Sequence, residues 1–67
     1  MDSIENNIGM FLKGYGGEID IEKLYSYMSQ IMNAKNGHIH VMNLLNEGML
    51  IIDGTTIKMT DRFKALL

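Results

Sequence analysis

The chain contains no cysteine, no long apolar run and no excess of positive charge. Without cysteine, neither a disulfide nor a thiolate metal site can hold the fold together, which suits a reducing compartment. No apolar run approaches the ~18 residues that a membrane span needs, and the N-terminus lacks a basic segment followed by an apolar core. We therefore expect a soluble protein of the cytoplasm, or of the nucleus if the source is eukaryotic, with no membrane partner.

The length of 67 residues is enough for a single small domain over 1–67. A chain of this size buries only ~60% of the surface that its unfolded form exposes. Hydrophobic residues make up 46% of the chain and charged residues 21%, which is typical of a folded domain rather than of a disordered segment. Because the core is small, we expect self-association or a partner protein to stabilise it.

The segment 49–60 carries the clearest structural signal. Two short runs of β-branched and apolar residues flank the dipeptide Asp53-Gly54. Asp-Gly in this setting is typical of a type I′ turn, which needs positive φ at both central positions. The pattern predicts a β-hairpin in which Ile52 faces Thr55. One face of the hairpin is then apolar: Leu50, Ile52, Ile57 and Met59.

Two helices are predicted in the first half of the chain, each with apolar residues at helical spacing. The first covers residues 4–13, with Asp2 or Ser3 as its N-cap, and it ends at a glycine-rich segment. The second covers residues 21–32 and is capped by Asp20.

The remaining elements follow from shorter signals. Residues 18–20 predict a very short strand. A turn at 33–37, rich in residues that accept left-handed geometry, precedes a third helix over 38–47 that Asn36 caps. Thr60 supplies the N-cap of a fourth helix.

A recurrent spacing of leucine, glycine and threonine runs through the C-terminal third of the chain: Leu44, Gly48, Met49, Leu50, Gly54, Ile57, Thr60, Leu66 and Leu67. These residues follow the pattern LxxxGLIxxxGxxxxLTxxGxxLL, so this segment resembles the second half of a winged helix-turn-helix DNA-binding domain. The resemblance implies a mainly helical α/β fold, with a three-helix core, a C-terminal β-hairpin wing and a short final helix. Phe63 stands where the family often has glycine, which implies that the final helix continues without a break or packs differently.

The resemblance also implies that the third helix enters the major groove of double-stranded DNA while the wing follows the backbone. Asn and His side chains read base edges, whereas Thr and Lys more often contact phosphates. We expect a transcriptional regulator that acts as a dimer, because two copies double the phosphate contacts. The alternative is that the candidate side chains form an ordinary solvated face. The candidate DNA-binding residues are Lys35, Asn36, His38, His40, Asn43, Thr55, Thr56 and Lys58.

Net charge and the third helix favour a second function. The net charge is −2 and the chain has only six Lys and Arg residues, although DNA affinity depends largely on such residues. Ile39 and Met42 lie three residues apart on the outer side of the third helix, where apolar residues are unusual for a recognition helix. The alternative is therefore a winged helix that binds a protein partner through Ile39 and Met42, as a subunit or adaptor of a nucleic-acid or viral assembly.

No pattern indicates catalysis, a metal or a cofactor. The glycine-rich segment 14–17 lacks the preceding strand and the lysine of a phosphate-binding loop. His38 and His40 diverge by ~200° on a helix, and the chain has no third histidine. Asp20 and Glu22 are explained by helix capping and the helix dipole. We expect a protein that is not an enzyme and that binds no cofactor.

Overall fold

The computed structural model describes residues 3–67 and consists of four helices and a three-stranded antiparallel sheet. The domain is mainly helical, and the order of its elements is the predicted one. Asp2, one of the two predicted caps of the first helix, lies outside the described residues. The elements are α1 (Ser3–Lys13), β1 (Glu18–Asp20), α2 (Ile21–Ser29), α3 (Ala34–Asn46), β2 (Leu50–Asp53), β3 (Thr56–Met59) and α4 (Asp61–Leu66).

Strand β3 lies in the centre of the sheet, between β1 and β2. The predicted short strand, β1, pairs with β3 so that Ile19 lies opposite Ile57. Two further backbone hydrogen bonds extend this pairing at its ends, from the N–H of Met59 to the oxygen of Gly17 (2.7 Å) and from the N–H of Ile21 to the oxygen of Thr55 (2.8 Å). The sheet therefore joins the first third of the chain to the last.

The hairpin formed by β2 and β3 is present, but its predicted register was wrong. Asp53 lies opposite Thr56, so that Gly54 and Thr55 form the turn. Gly54 has a φ of 64°, whereas Thr55 has a negative φ, because all residues with positive φ in 3–67 are glycines. Positive φ at the first central position alone meets the requirement of a type II′ turn rather than of type I′.

The corrected register differs from the predicted one by two residues, so the side chains still alternate between the same two faces. Leu50, Ile57 and Met59 of the predicted apolar face are buried. Ile52 shares that face near the turn and remains 50% exposed. The composition of the face was thus predicted correctly, while the pairing of Ile52 with Thr55 was not.

The connection between α2 and α3 also differs from the prediction. Helix α2 ends at Ser29, and α3 begins at Ala34 rather than at residue 38. The side chain of Asn33 accepts a hydrogen bond from the N–H of Asn36 at 2.9 Å, so Asn33 is the N-cap and Asn36 lies in the first turn.

Packing at Gly37 explains why α3 begins at Ala34, four residues before the predicted start. Glycine inside a helix costs about 1 kcal/mol relative to alanine, which favours a turn at this position. In the folded domain Gly37 is buried, and a Cβ atom there would lie 3.4 Å from the Cβ of Met28. Glycine therefore allows α3 to approach α2 closely, and this packing outweighs the local preference.

The core draws on every helix and on all three strands. Its fully buried side chains are Phe63, Ile8, Leu12, Leu24, Met28, Leu44, Leu50, Ile57 and Val41. Helix α4 is continuous and packs on α1 at Gly9, where a Cβ atom would lie 2.7 Å from the ring atom Cζ of Phe63. Phe63 is thus a core residue.

Thr60 connects the start of the hairpin to α4, and its predicted role as N-cap is confirmed. Its hydroxyl accepts a hydrogen bond from the N–H of Phe63 at 3.3 Å and donates to the oxygen of Gly48 at 2.7 Å. Its backbone N–H donates to the oxygen of Met49 at 3.0 Å. One side chain therefore fixes the angle between two elements.

Replacing Thr60 with alanine is expected to lower the free energy of unfolding by about 1–2 kcal/mol, because the cap and the bond to Gly48 are both lost. Urea unfolding followed by circular dichroism measures this change. Thr60→Ser keeps the hydroxyl and should stay within about 0.5 kcal/mol of the native chain. A serine variant as unstable as the alanine variant would instead assign the effect to packing of the threonine methyl group.

Candidate nucleic-acid interface on helix α3 and the hairpin

Helix α3 presents one side to the core and the opposite side to solvent. Gly37, Val41 and Leu44, spaced at i, i+4 and i+7, are its buried residues. The side chains opposite to them are exposed, and Ile39 and Met42 are 46% and 41% exposed. We call this surface the α3 outer face: Lys35, Asn36, Ile39, Met42, Asn43 and Asn46.

The α3 outer face carries no carboxylate. The chain has eight Asp and Glu residues, but none lies between Glu22 and Glu47. Lys35 is the cation of this surface, and its other polar groups are the side-chain amides of three asparagines. The chain has a net charge of −2, but α3 has no acidic side chain that would repel a polyanion.

His38 faces α2. Its Nδ1 atom lies 2.8 Å from the hydroxyl oxygen of Tyr25, and the two rings are 6.1 Å apart. Burial raises the pKa of the Tyr25 phenol above its usual value. The Tyr25 hydroxyl either donates to Nδ1 or accepts from it, depending on the tautomer of His38.

His40 lies on the opposite side of α3 from Lys35 and faces α1. Its Nδ1 atom is 3.2 Å from the carboxylate oxygen Oε2 of Glu5. The side chains of His40 and Glu5 are only 19% and 10% exposed. His38 and His40 thus diverge as their spacing predicts, but His40 joins two helices and does not belong to the α3 outer face.

The hairpin positions three further candidates from the sequence. Thr55 is exposed in the turn, while Thr56 and Lys58 of β3 are half-buried and share the face that points away from the core. Helix α3 packs on the neighbouring strand, β2. The hairpin therefore lies beside α3, and Thr55 is its most accessible polar side chain among these three.

Lys58 is neutralised by the sheet itself. Its Nζ atom lies 3.2 Å from the Oδ2 atom of Asp53 and 3.8 Å from the Oε2 atom of Glu18. The hydrogen bond with Asp53 and the negative charge of Glu18 raise the pKa of Lys58 above its usual value. A phosphate would have to compete with two carboxylates for this ammonium group.

A second surface, between α1 and α2, contains residues that the sequence analysis did not select. Phe11, Tyr15, Lys23 and Tyr27 are among those that line a cavity of about 250 Å³. The available signal was a spacing of four residues, between Lys23 and Tyr27 on α2 and between Phe11 on α1 and Tyr15 in the turn that follows it. That spacing shows that two side chains share a helix face, but it does not show that the two faces meet.

Comparison of the chain with protein-family models, with curated proteins and with solved structures gives no match in any of the three. Within residues 3–67, no helix has the length and the apolar character needed to cross a membrane.

Proposed function

We propose that the domain is a winged helix-turn-helix protein that binds double-stranded DNA, with α3 as the recognition helix and the β2–β3 hairpin as the wing. The observation that carries this proposal is the α3 outer face, a surface without carboxylates in an acidic chain. The order of the elements and the contact between α3 and β2 also support it. In this role the protein regulates transcription and catalyses no reaction.

The α3 outer face offers two kinds of contact to a major groove. The side-chain amides of Asn36, Asn43 and Asn46 can pair with the N6 and N7 atoms of adenine, and the apolar side chains of Ile39 and Met42 can contact thymine methyl groups. Lys35 lies in the first turn of the helix, next to its positive dipole end, which suits a phosphate at the groove edge. The expected target is therefore rich in A·T pairs.

Lys35 is the only cation of the α3 outer face, and this limits the affinity of a single copy for DNA. Each lysine that neutralises a phosphate contributes a slope of about −0.9 to the dependence of log affinity on log salt concentration. One free lysine on the recognition helix therefore gives a shallow slope for each chain. A twofold dimer doubles both the slope and the base contacts, so we propose that the protein acts as a homodimer.

The test is a fluorescence anisotropy titration of an A·T-rich mixed-sequence duplex of about three helical turns, between about 50 and 200 mM salt. We expect binding at low salt that weakens with a slope of about −1 for each chain bound. Absence of binding at the lowest salt concentration would remove the DNA-binding proposal.

Lys58→Ala is expected to change the salt slope by less than half of the change caused by Lys35→Ala. The ammonium of Lys58 is already paired with Asp53 and Glu18, so few counterions are exchanged when it meets DNA. The same anisotropy titration compares the two variants with the native chain. An equal loss of slope in both variants would show that a phosphate displaces the two carboxylates, and the hairpin would then be a full part of the interface.

A second candidate function rests on the exposed apolar pair of α3. Ile39 and Met42 are 46% and 41% exposed and lie one turn apart. Because the α3 outer face carries only one charged side chain, this apolar pair also suits a protein–protein contact. In that case the winged helix serves as an adaptor in a larger assembly.

The variant Met42→Glu, studied without DNA, tests whether α3 binds another protein chain rather than DNA. If α3 is a protein-binding surface used between copies, the variant should be monomeric at concentrations where the native chain associates, because a carboxylate would be buried in the contact. Sedimentation velocity measures the change. Met10→Glu is the matched control, since Met10 is 51% exposed on α1. If both glutamate variants associate like the native chain, α3 does not mediate self-association.

A further inference from the structure

The cavity between α1 and α2 is built from one turn of α1 and two turns of α2. Phe11 lies on α1, and Tyr15 lies four residues further on, in the turn that follows this helix. The α2 residues follow the spacing i, i+3, i+4 and i+7, so all four lie on one side of that helix. The lining residues are Phe11, Tyr15, Lys23, Ser26, Tyr27 and Gln30, and the volume is about 250 Å³.

Aromatic rings dominate the cavity. The rings of Phe11 and Tyr27 are stacked, with centroids 4.0 Å apart and planes at 6° to each other. The ring of Tyr15 is tilted by 58° against Phe11, at 5.1 Å, and Tyr15 is 49% exposed. Three of the five Phe and Tyr rings of the chain therefore line the cavity, and a further planar ring can stack on their exposed side.

Lys23 supplies a positive charge at the cavity. Its Nζ atom lies 4.5 Å from the centroid of the Tyr15 ring, so a cation–π contact holds the ammonium at the cavity. In the described part of the chain, residues 3–67, no carboxylate forms an ion pair with Lys23. Lys58, by contrast, forms ion pairs with two carboxylates.

The other lining groups favour the same kind of ligand. None of the lining residues is acidic, and the Ser26 hydroxyl and the Gln30 amide are both able to donate hydrogen bonds. Ring faces beside a free ammonium and two neutral donors match a planar ring that carries a negative group. The volume lies below the usual range of sites for drug-sized ligands, ~300–1,000 Å³, and this limits the ligand to one or two rings.

We propose that this cavity binds a small aromatic carboxylate, with its ring against Tyr15 and Phe11 and its carboxylate on the Lys23 ammonium. The site shares no residue with the α3 outer face. The proposal therefore stands or falls separately from the proposed function.

The test is an NMR titration of the ¹⁵N-labelled full chain with 2-naphthoate, and with 2-naphthamide as the neutral ligand of the same shape. We expect saturable shifts at the lining residues and at least fivefold tighter binding of the carboxylate. Lys23→Met should weaken 2-naphthoate binding at least fivefold without changing 2-naphthamide binding. Lys23→Arg, which keeps the charge, should restore most of the preference, and Lys13→Met serves as the control for loss of a lysine elsewhere.

Three results would overturn the proposal. Equal affinity for 2-naphthoate and 2-naphthamide would show that Lys23 does not select an anion. Shifts that do not saturate, or that lie outside the cavity, would show that the cavity is not a binding site. A fivefold loss with Lys13→Met as well would assign the effect to net charge alone. The dispersion of the spectra shows whether each variant is folded.

Discussion

Phe63→Ala is expected to unfold a large part of the protein at room temperature. Phe63 is fully buried although it belongs to the shortest helix, and its ring lies directly against Gly9 of α1. Removing a buried phenylalanine ring costs about 3–5 kcal/mol. A domain of this size rarely has more than about 3–5 kcal/mol of stability in total, so this one substitution removes most of it.

Circular dichroism during urea and thermal unfolding measures the effect. Leu66→Ala is the matched control, because Leu66 lies on the same helix but is 56% exposed. Its free energy of unfolding should stay within about 0.5 kcal/mol of the native value. A cooperative Phe63→Ala transition shifted by less than about 1 kcal/mol would mean that α4 is not part of the stabilising core.

If α3 is the recognition helix, as we propose, Lys35→Glu reduces DNA affinity at least tenfold at low salt, which corresponds to about 1.4 kcal/mol. The substitution removes the cation of the α3 outer face and places a carboxylate on a surface that has none. Loss of the proposed phosphate contact also lowers the salt slope by about 1. Because Lys35 is exposed and follows the capping residue Asn33, the fold should be unaffected.

Lys13→Glu is the matched control for this experiment. It changes the net charge by the same amount at an exposed position of α1. A specific role of α3 predicts a small loss of affinity for Lys13→Glu and a large one for Lys35→Glu. Equal losses would indicate that DNA binding responds to total charge alone, and the proposal that α3 is the recognition helix would be wrong.

The sequence predicted those parts of the fold that depend on local chemistry. The caps Asp20 and Thr60 are confirmed because a side-chain oxygen bonds an N–H group two or three residues away. The alternation of β2 and β3 is confirmed because it follows from strand geometry. The start of α3 was missed, since the fit of Gly37 against Met28 depends on a neighbouring helix rather than on the local sequence.

For the candidate interface, too, the sequence predicted the features that depend on local spacing and missed those that depend on distant residues. Helical periodicity correctly placed Ile39 and Met42 on the exposed side of α3. It gave no indication that His40 meets Glu5, which is 35 residues away in the chain, or that Lys58 meets Glu18 on another strand. Partners so distant in sequence are brought together only by the tertiary fold, and these partners decide which charged groups are available to a ligand.

The central position of β3 has a consequence for how the protein folds. The hairpin and the α2–α3 pair are each formed by elements that are consecutive in the chain, so both can form early. Pairing of β1 with β3 requires the long segment between them to close as a loop. The N–H of Met59, which donates to Gly17, joins the two ends of that loop. Its protection from hydrogen exchange therefore reports the moment at which the first helix and the short strand dock on the rest of the molecule.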